Sequence, residues 1–325
     1  MIEVTELVKK YGALTAVNAI SFNARRGEVL GLLGPNGAGK TSTLRMICGF
    51  TRPTSGTCRV DGIDVGVNPL DAKRRTGYLP ENLPLYPEMT VTEYLTFVAG
   101  VREVPGRRLR AAVESAVTGC GLEPVRHRVI RNISRGFRQR TGLAQALIHE
   151  PGVLVLDEPT IGLDPVSILD VRALIRRMAG KGTVVLSTHL LHEAELLCDR
   201  LLIMDGGSIL AEGPPAELVG RASGPLSCEC LLEGEREVVE AILESDSLFR
   251  GFSLDAGSEG LWRCRFDIAE AGMRAEIVRH ILDAELKLCG FRLLKPTLEE
   301  VFRAVMDAKP APGTVPAAGR GGGEA

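Results

Sequence analysis

At 325 residues, 45% apolar and 25% charged, the chain has an ordinary folded composition and length for two domains, one of roughly 200 residues and one of about 100. A formal net charge of −2 offers no basic face for nucleic acid, and no apolar run reaches the roughly 20 residues that span a bilayer. None of the eight cysteines forms a CxxC pair and several sit inside apolar runs, which favours reduced core thiols over disulfides or zinc ligands. Met1 leads into alternating strand residues rather than a signal peptide, so the chain is expected in the cytoplasm, reaching a membrane through a partner.

From Ile2 to about Leu33 the pattern is one of short strands, and Glu28 to Gly34 (EVLGLLG) reads as a buried strand entering a glycine turn. Gly34-Pro35-Asn36-Gly37-Ala38-Gly39-Lys40-Thr41 fits GxxxxGK[ST]. Its glycines let backbone N–H groups converge on phosphate oxygens, and the helix expected over Thr41 to Cys48 points its positive end at the anion. Lys40 is expected to reach the β- and γ-phosphates of ATP, Thr41 to offer its hydroxyl oxygen to Mg²⁺, and Ser42 to bond near the α- and β-phosphates. A chance glycine turn is the competing explanation; the strand before and the helix after argue against it.

Further helices are expected over Ala111–Gly119 and Gly136–His149. Gly152–Leu156 (GVLVL) is a continuous apolar run suited to a strand buried on both faces, and it ends in Asp157-Glu158. Beside a phosphate loop, Asp157 is placed to hold Mg²⁺ and Glu158 to act as the base that orients or deprotonates water. Alone, the two acids would read equally well as the charged end of a strand. A helix over Val166–Ala179, a strand over Thr183–Ser187, a short helix over His192–Cys198 and a hairpin around Asp205-Gly206-Gly207 follow. This alternation predicts an α/β core with a parallel sheet.

Gly213–Gly224 reads as a linker. Beyond it come a strand (Leu226–Leu232), a helix (Glu235–Leu243), two strands (Phe252–Asp255, Leu261–Phe266), a helix (Ala269–Leu282) and a strand (Leu286–Leu293). This βαββαβ order predicts a ferredoxin-like α+β domain over 225–308, after a nucleotide-binding domain over 1–220. A last helix, Thr297–Met306, starts at a capping box, and the Pro-, Gly- and Ala-rich residues 309–325 are expected to be disordered.

In this order the motifs resemble the nucleotide-binding subunit of ATP-binding cassette (ABC) transporters over residues 1 to about 215. The resemblance implies a P-loop ATPase core with an antiparallel β subdomain and a helical signature subdomain. It makes Tyr11 the residue that stacks on adenine, Gly162-Leu163-Asp164 the D-loop, and His189 the histidine that contacts the γ-phosphate. On the residues alone, a Tyr-Gly pair such as Tyr11-Gly12 is more often a turn, and a helix cap is the lesser alternative for His189. Ser134 and Gly136 fall in the signature loop. Arg135 replaces the usual glycine between them, and is expected either to reach the γ-phosphate or to point to solvent. Glu81 stands where the family carries a glutamine that helps to ligate Mg²⁺.

The spelling from Gly77 to Leu95 further resembles ABC-2-type export ATPases, closest to the gliding-motility and copper-maturation branch. The resemblance implies a head-to-tail dimer of two copies that sandwiches two ATP molecules. It also implies an integral membrane permease, docked near Leu83–Tyr94 on the cytoplasmic face of the cell membrane; the same stretch also reads as a packed helical subdomain. A soluble ABC protein of translation or DNA maintenance shares the site, but those carry two cassettes or a long coiled coil. A P-loop kinase would leave Ser134–Arg140, Asp164 and His189 unexplained.

Overall fold

Val29–Leu33 is buried at every position and lies inside a six-stranded sheet, which explains why its sequence is a solid apolar run rather than an alternating one. The computed structural model describes residues 1–221, 226–245, 249, 251–257, 261–268, 273–294 and 297–307, in two units, Met1–Pro215 and Ala216–Ala325.

The first unit runs β1 (Ile2–Tyr11), β2 (Leu14–Ala24), β3 (Val29–Leu33), α1 (Lys40–Ile47), β4 (Ser55–Val60), β5 (Ile63–Asp64), α2 (Pro69–Arg75) and β6 (Thr76–Leu79). It continues with α3 (Val91–Val101), α4 (Gly106–Gly119), α5 (Arg135–Leu147), β7 (Val153–Asp157), α6 (Pro165–Ala179), β8 (Thr183–Thr188), α7 (Leu191–Leu197), β9 (Arg200–Asp205) and β10 (Ser208–Gly213). The main sheet has the order β10-β9-β3-β8-β7-β6, parallel except for the β9–β10 hairpin. A separate antiparallel sheet has the order β2-β1-β4-β5.

Helix α1 is packed in a shared core with residues of both sheets: Leu44 and Ile47 pack with Ile2, Val4 and Leu7 of one and Val153, Val155 and Val185 of the other. Fully buried, each of Leu44 and Ile47 contributes about 2 kcal/mol. This core fixes the helix whose first turn follows the Gly34–Gly39 loop. Helices α3, α4 and α5 pack together through Tyr94, Leu95, Val117 and Leu143, giving the helical subdomain. Helix α3 starts at a capping box in which Thr90 accepts from Glu93 N and Glu93 accepts from Thr90 N.

The α/β core, the antiparallel sheet and the helical subdomain are those expected. One expectation fails locally: α8 (Pro215–Arg221) occupies most of the stretch read as linker. Proline suits the first position of a helix and Glu217 its first turn, so residues that resemble a linker by composition start a helix here.

The second unit runs β11 (Leu226–Glu233), α9 (Arg236–Ser245), β12 (Ser253–Ala256), β13 (Leu261–Ile268), α10 (Arg274–Asp283), β14 (Lys287–Leu294) and α11 (Leu298–Asp307). Its antiparallel sheet has the order β12-β13-β11-β14, the ferredoxin-like arrangement. Strand alternation sends Cys228, Cys230, Cys264 and Phe266 into a core with Val239, Leu243, Ile277 and Ile281 of the helices. On the opposite face, Glu229 is 5% exposed and bonded by Arg265 (2.8 Å) and Arg292 (2.7 Å). Burial would raise its pKa, but those arginines and Arg263 together hold it below the ordinary carboxylate range. All eight cysteines are free thiols, and only Cys289 is exposed. Helix α10 starts at Arg274; residues 269–272, where its start was expected, and the tail 309–325 lie outside the described residues.

Candidate nucleotide-binding site

Strand β3 delivers Gly34 against the backbone of β9, where a Cβ would lie 2.2 Å from the Met204 carbonyl oxygen. At Gly39, φ is +99° and a Cβ would lie 2.5 Å from the Ala16 carbonyl. Two backbone contacts that only glycine permits therefore set the two ends of the loop. Gly39 is also the N-cap of α1 and brings no side-chain acceptor to the first N–H groups, which leaves the positive end of the helix available to an anion.

Lys40 is buried, and its ammonium donates to the carbonyls of Gly34 (2.6 Å) and Pro35 (3.1 Å), across the mouth of the loop. Burial lowers its pKa from the ordinary lysine value, while Glu158, Asp157 and Glu81 oppose the shift. Glu81 is exposed and adds its charge to this field. Ser42 is half-buried in the first turn of α1.

Asp157 ends β7 at 1% exposure, opposite Ser187 of β8. Its Oδ1 accepts from Thr41 Oγ1 (3.1 Å) and from Ser187 Oγ (2.6 Å). Ser187 Oγ in turn accepts from Glu158 N (3.0 Å). Glu158 adopts φ +51°, a left-handed conformation that costs a non-glycine residue of order 1 kcal/mol. Its Oε1 stands 3.0 Å from His189 Nδ1 and 3.9 Å from Lys40 Nζ. Among the described residues no three His, Cys, Asp or Glu side chains gather as a metal cage. Thr41 Oγ1 and Asp157 Oδ1, 3.1 Å apart, instead form a half-site of hard oxygen donors that phosphate and water oxygens would complete around Mg²⁺.

Ser134 is the N-cap of α5, its Oγ accepting from Phe137 N (3.3 Å). Gly136 is buried: a Cβ there would lie 2.3 Å from Ser167 Oγ. Asp164 caps α6, accepting from Ser167 N (3.0 Å) and Ser167 Oγ (2.7 Å), bonds that hold its carboxyl below the ordinary range. Arg135 is turned onto its own chain, with Nη2 donating to the Ile161 carbonyl (3.2 Å). Phe137 lies under the Arg140 guanidinium, 4.3 Å from its ring centroid. Tyr11 is 46% exposed at the end of β1, with Lys9 Nζ 5.0 Å from its ring centroid.

Lys40, Thr41, Asp157, Glu158 and His189 thus form one cluster. Ser134, Arg135, Gly136 and Asp164 form another, along residues 161–167, the later part of the segment that follows Glu158. Sequence reading missed Ser187, although a hydroxyl ending the buried run TVVLS was a legible signal. It also missed Gly207, whose N–H donates to the Ala38 carbonyl (3.2 Å) and which brings β9 and β10 against the loop. A cleft of about 690 Å³, lined by Phe50, Tyr78, Tyr86, Phe97, Val101 and His149 among others, opens beside α3.

The family profile described as ABC transporter matches residues 17–161. The chain is 34% identical to the daunorubicin/doxorubicin resistance ATP-binding protein DrrA of Streptomyces peucetius, over 94% of this chain and 92% of that one. It is 38% identical to the probable multidrug ABC transporter ATP-binding protein YbhF of Escherichia coli over 69% of this chain, a match that spans 39% of the YbhF length. A solved ATP-binding subunit of an ABC transporter, 29% identical, superposes with a TM-score of 0.62 over 68% of this chain and 92% of that one. Among the described residues no helix is long and apolar enough to cross a membrane.

Proposed function

The chain belongs to the ATP-binding proteins of ABC transporters, and on that premise we propose that it hydrolyses ATP to drive a separate membrane permease, in the direction of export. The observation that carries this reading is the convergence of Lys40, the Thr41–Asp157 pair and the Glu158–His189 pair at one end of a parallel sheet. A phosphate binder, a cation half-site and a base held by a partner are the parts that phosphoryl transfer to water needs.

Lys40 and the loop N–H groups bind the phosphates. Thr41 and Asp157 would hold Mg²⁺, which when bound neutralises phosphate charge and steadies the leaving oxygen. Glu158 Oε1 takes or orients the proton of the attacking water, and His189 Nδ1 keeps that carboxylate in place from 3.0 Å. Tyr11 offers an exposed ring on which adenine stacks. Ser134 and Gly136 belong to the other cluster, so in this reading they serve the ATP of a second copy arranged head to tail, and Asp164 lies at that joint.

The cleft beside α3 supports the permease as partner. Phe50 (57% exposed), Tyr86 (49%) and Phe97 (43%) line this cleft with exposed aromatic rings, Tyr86 edge-on to Phe97, of the kind that marks an interaction site. In this arrangement the chain acts at the cytoplasmic face of the membrane. YbhF is named a probable multidrug ABC transporter ATP-binding protein and DrrA a drug-resistance ATP-binding protein, which supports export as the direction. Co-purification from detergent extracts tests the function: the full chain should retain a polytopic membrane protein, and Phe97→Glu should release it while ATP binding persists. Recovery with ribosomes or DNA alone would overturn transport.

A further inference from the structure

Residues 135, 136 and 139 share one face of α5, and each meets the segment that follows Glu158. Gln139 Nε2 donates to the Pro159 carbonyl (2.7 Å), a bond wholly inside the protein. Arg135 Nη2 donates to the Ile161 carbonyl (3.2 Å). Its guanidinium also lies against Gly162: a Cβ at that glycine would come within 2.4 Å of Cζ and 2.5 Å of both terminal nitrogens. Gly136 packs on Ser167, whose hydroxyl donates to Asp164. At the upstream end, Ser187 holds Glu158 N. The stretch from Glu158 to Ser167 is therefore anchored by a strand at its start and by one helix along its length, and that helix begins at the Ser134–Gly136 turn.

We propose that Arg135 is a positioning residue: it clamps the Ser134–Gly136 turn to the Ile161–Gly162 bend of the same chain, so that an anion docking on the turn is felt at Glu158. The inference rests on the proposed roles of that turn and of Glu158. A guanidinium suits the task because it is planar, stays charged, and can lie flat on a glycine while donating to a neighbouring carbonyl. An ammonium keeps the donor and loses the flat contact. A glycine at 135 loses both, and the bend is left to Gln139 and Ser167. Because the bend lies three to four residues after Glu158, and Glu158 N and the Pro159 carbonyl are both hydrogen-bonded, a shift at Gly162 has little slack in which to dissipate. In a head-to-tail pair the turn meets the partner's ATP while Glu158 serves its own, so the clamp links the two sites.

The test uses the full chain with Arg135→Gly and Arg135→Lys, each with and without Gly162→Ala. The Ile161 and Leu163 amides donate to Glu158 O and Thr160 O, so their hydrogen exchange reports the bend without nucleotide. Arg135→Gly should speed that exchange about tenfold, the loss of one charged hydrogen bond, with Arg135→Lys in between. It should lower kcat for ATP about tenfold at unchanged KM. Gly162→Ala should destabilise the wild-type background more than the Arg135→Gly background, since strain at φ +67° is common to both and only the guanidinium clash differs. Unchanged exchange in Arg135→Gly would overturn the clamp. So would a raised KM with kcat and exchange preserved, which would put Arg135 on nucleotide. If the wild-type chain lacked ATPase activity, the proposed function would fall, and exchange at 161 and 163 would still decide the clamp.

Discussion

His189 Nδ1 stands 3.0 Å from Glu158 Oε1, close enough to orient the carboxylate. Glu158 adopts its left-handed φ at the end of β7, and that conformation sends the side chain toward both His189 and Lys40. His189→Ala removes the imidazole and leaves Lys40, Thr41 and Asp157 in place. We expect kcat for ATP to fall about a hundredfold while ATP affinity changes by less than about threefold. Steady-state ATPase assays with equilibrium nucleotide binding check it; equal losses in both would make His189 a binding residue.

Lys40 has the opposite signature. Its ammonium is enclosed by the loop carbonyls and faced by Glu158, and Lys40→Ala leaves that buried carboxylate without its cation. Nucleotide affinity itself should fall by at least about tenfold, the weight of one charge-assisted contact. Titration with a fluorescent ATP analogue measures this directly. Wild-type affinity would mean that backbone N–H groups bind the phosphates alone.

His149 gives the fold a pH dependence separate from catalysis. Its Nε2 bonds the Thr76 carbonyl (3.2 Å), and Nδ1 is buried without a hydrogen-bond partner. Burial, with Arg102 nearby, pushes its pKa down from 6.5 to about 4. The unfolded chain thus takes up a proton first as pH falls, so stability from this group is complete above pH 6.5 and lost between 6.5 and about 4. The loss is at most about 3 kcal/mol. Urea unfolding at pH 7 and pH 4.5 should show His149→Gln losing less stability than the wild type over that interval; identical losses would remove His149 as the cause.

Much of this was legible in the residues. The strand–loop–helix at Gly34–Thr41 is specified by glycines that the packing requires, and GVLVL and TVVLS read as buried strands because both faces are covered. The βαββαβ order of the second unit followed from strand alternation, including Cys228 and Cys230 as core residues. Helix α3 went unassigned because VTEYLTFVAGV is apolar on more than one face, although its capping box Thr90–Glu93 was in plain view. Helix α8 was hidden by its proline and glycine, which count toward a linker in composition and toward a helix end in position. The direction of Arg135 was out of reach, since no local pattern specifies that a side chain on α5 crosses to a bend 26 residues later.

The proposed chemistry centres on Glu158 as the base, and the Glu158→Gln chain with ATP and Mg²⁺ tests it most directly. The amide keeps the shape and the bond to Ser187 but cannot accept the proton of water. ATP binding should persist, hydrolysis should fall by at least about a hundredfold, and sizing chromatography with ATP should show an accumulated dimer. Hydrolysis by Glu158→Gln at the wild-type rate would contradict the account.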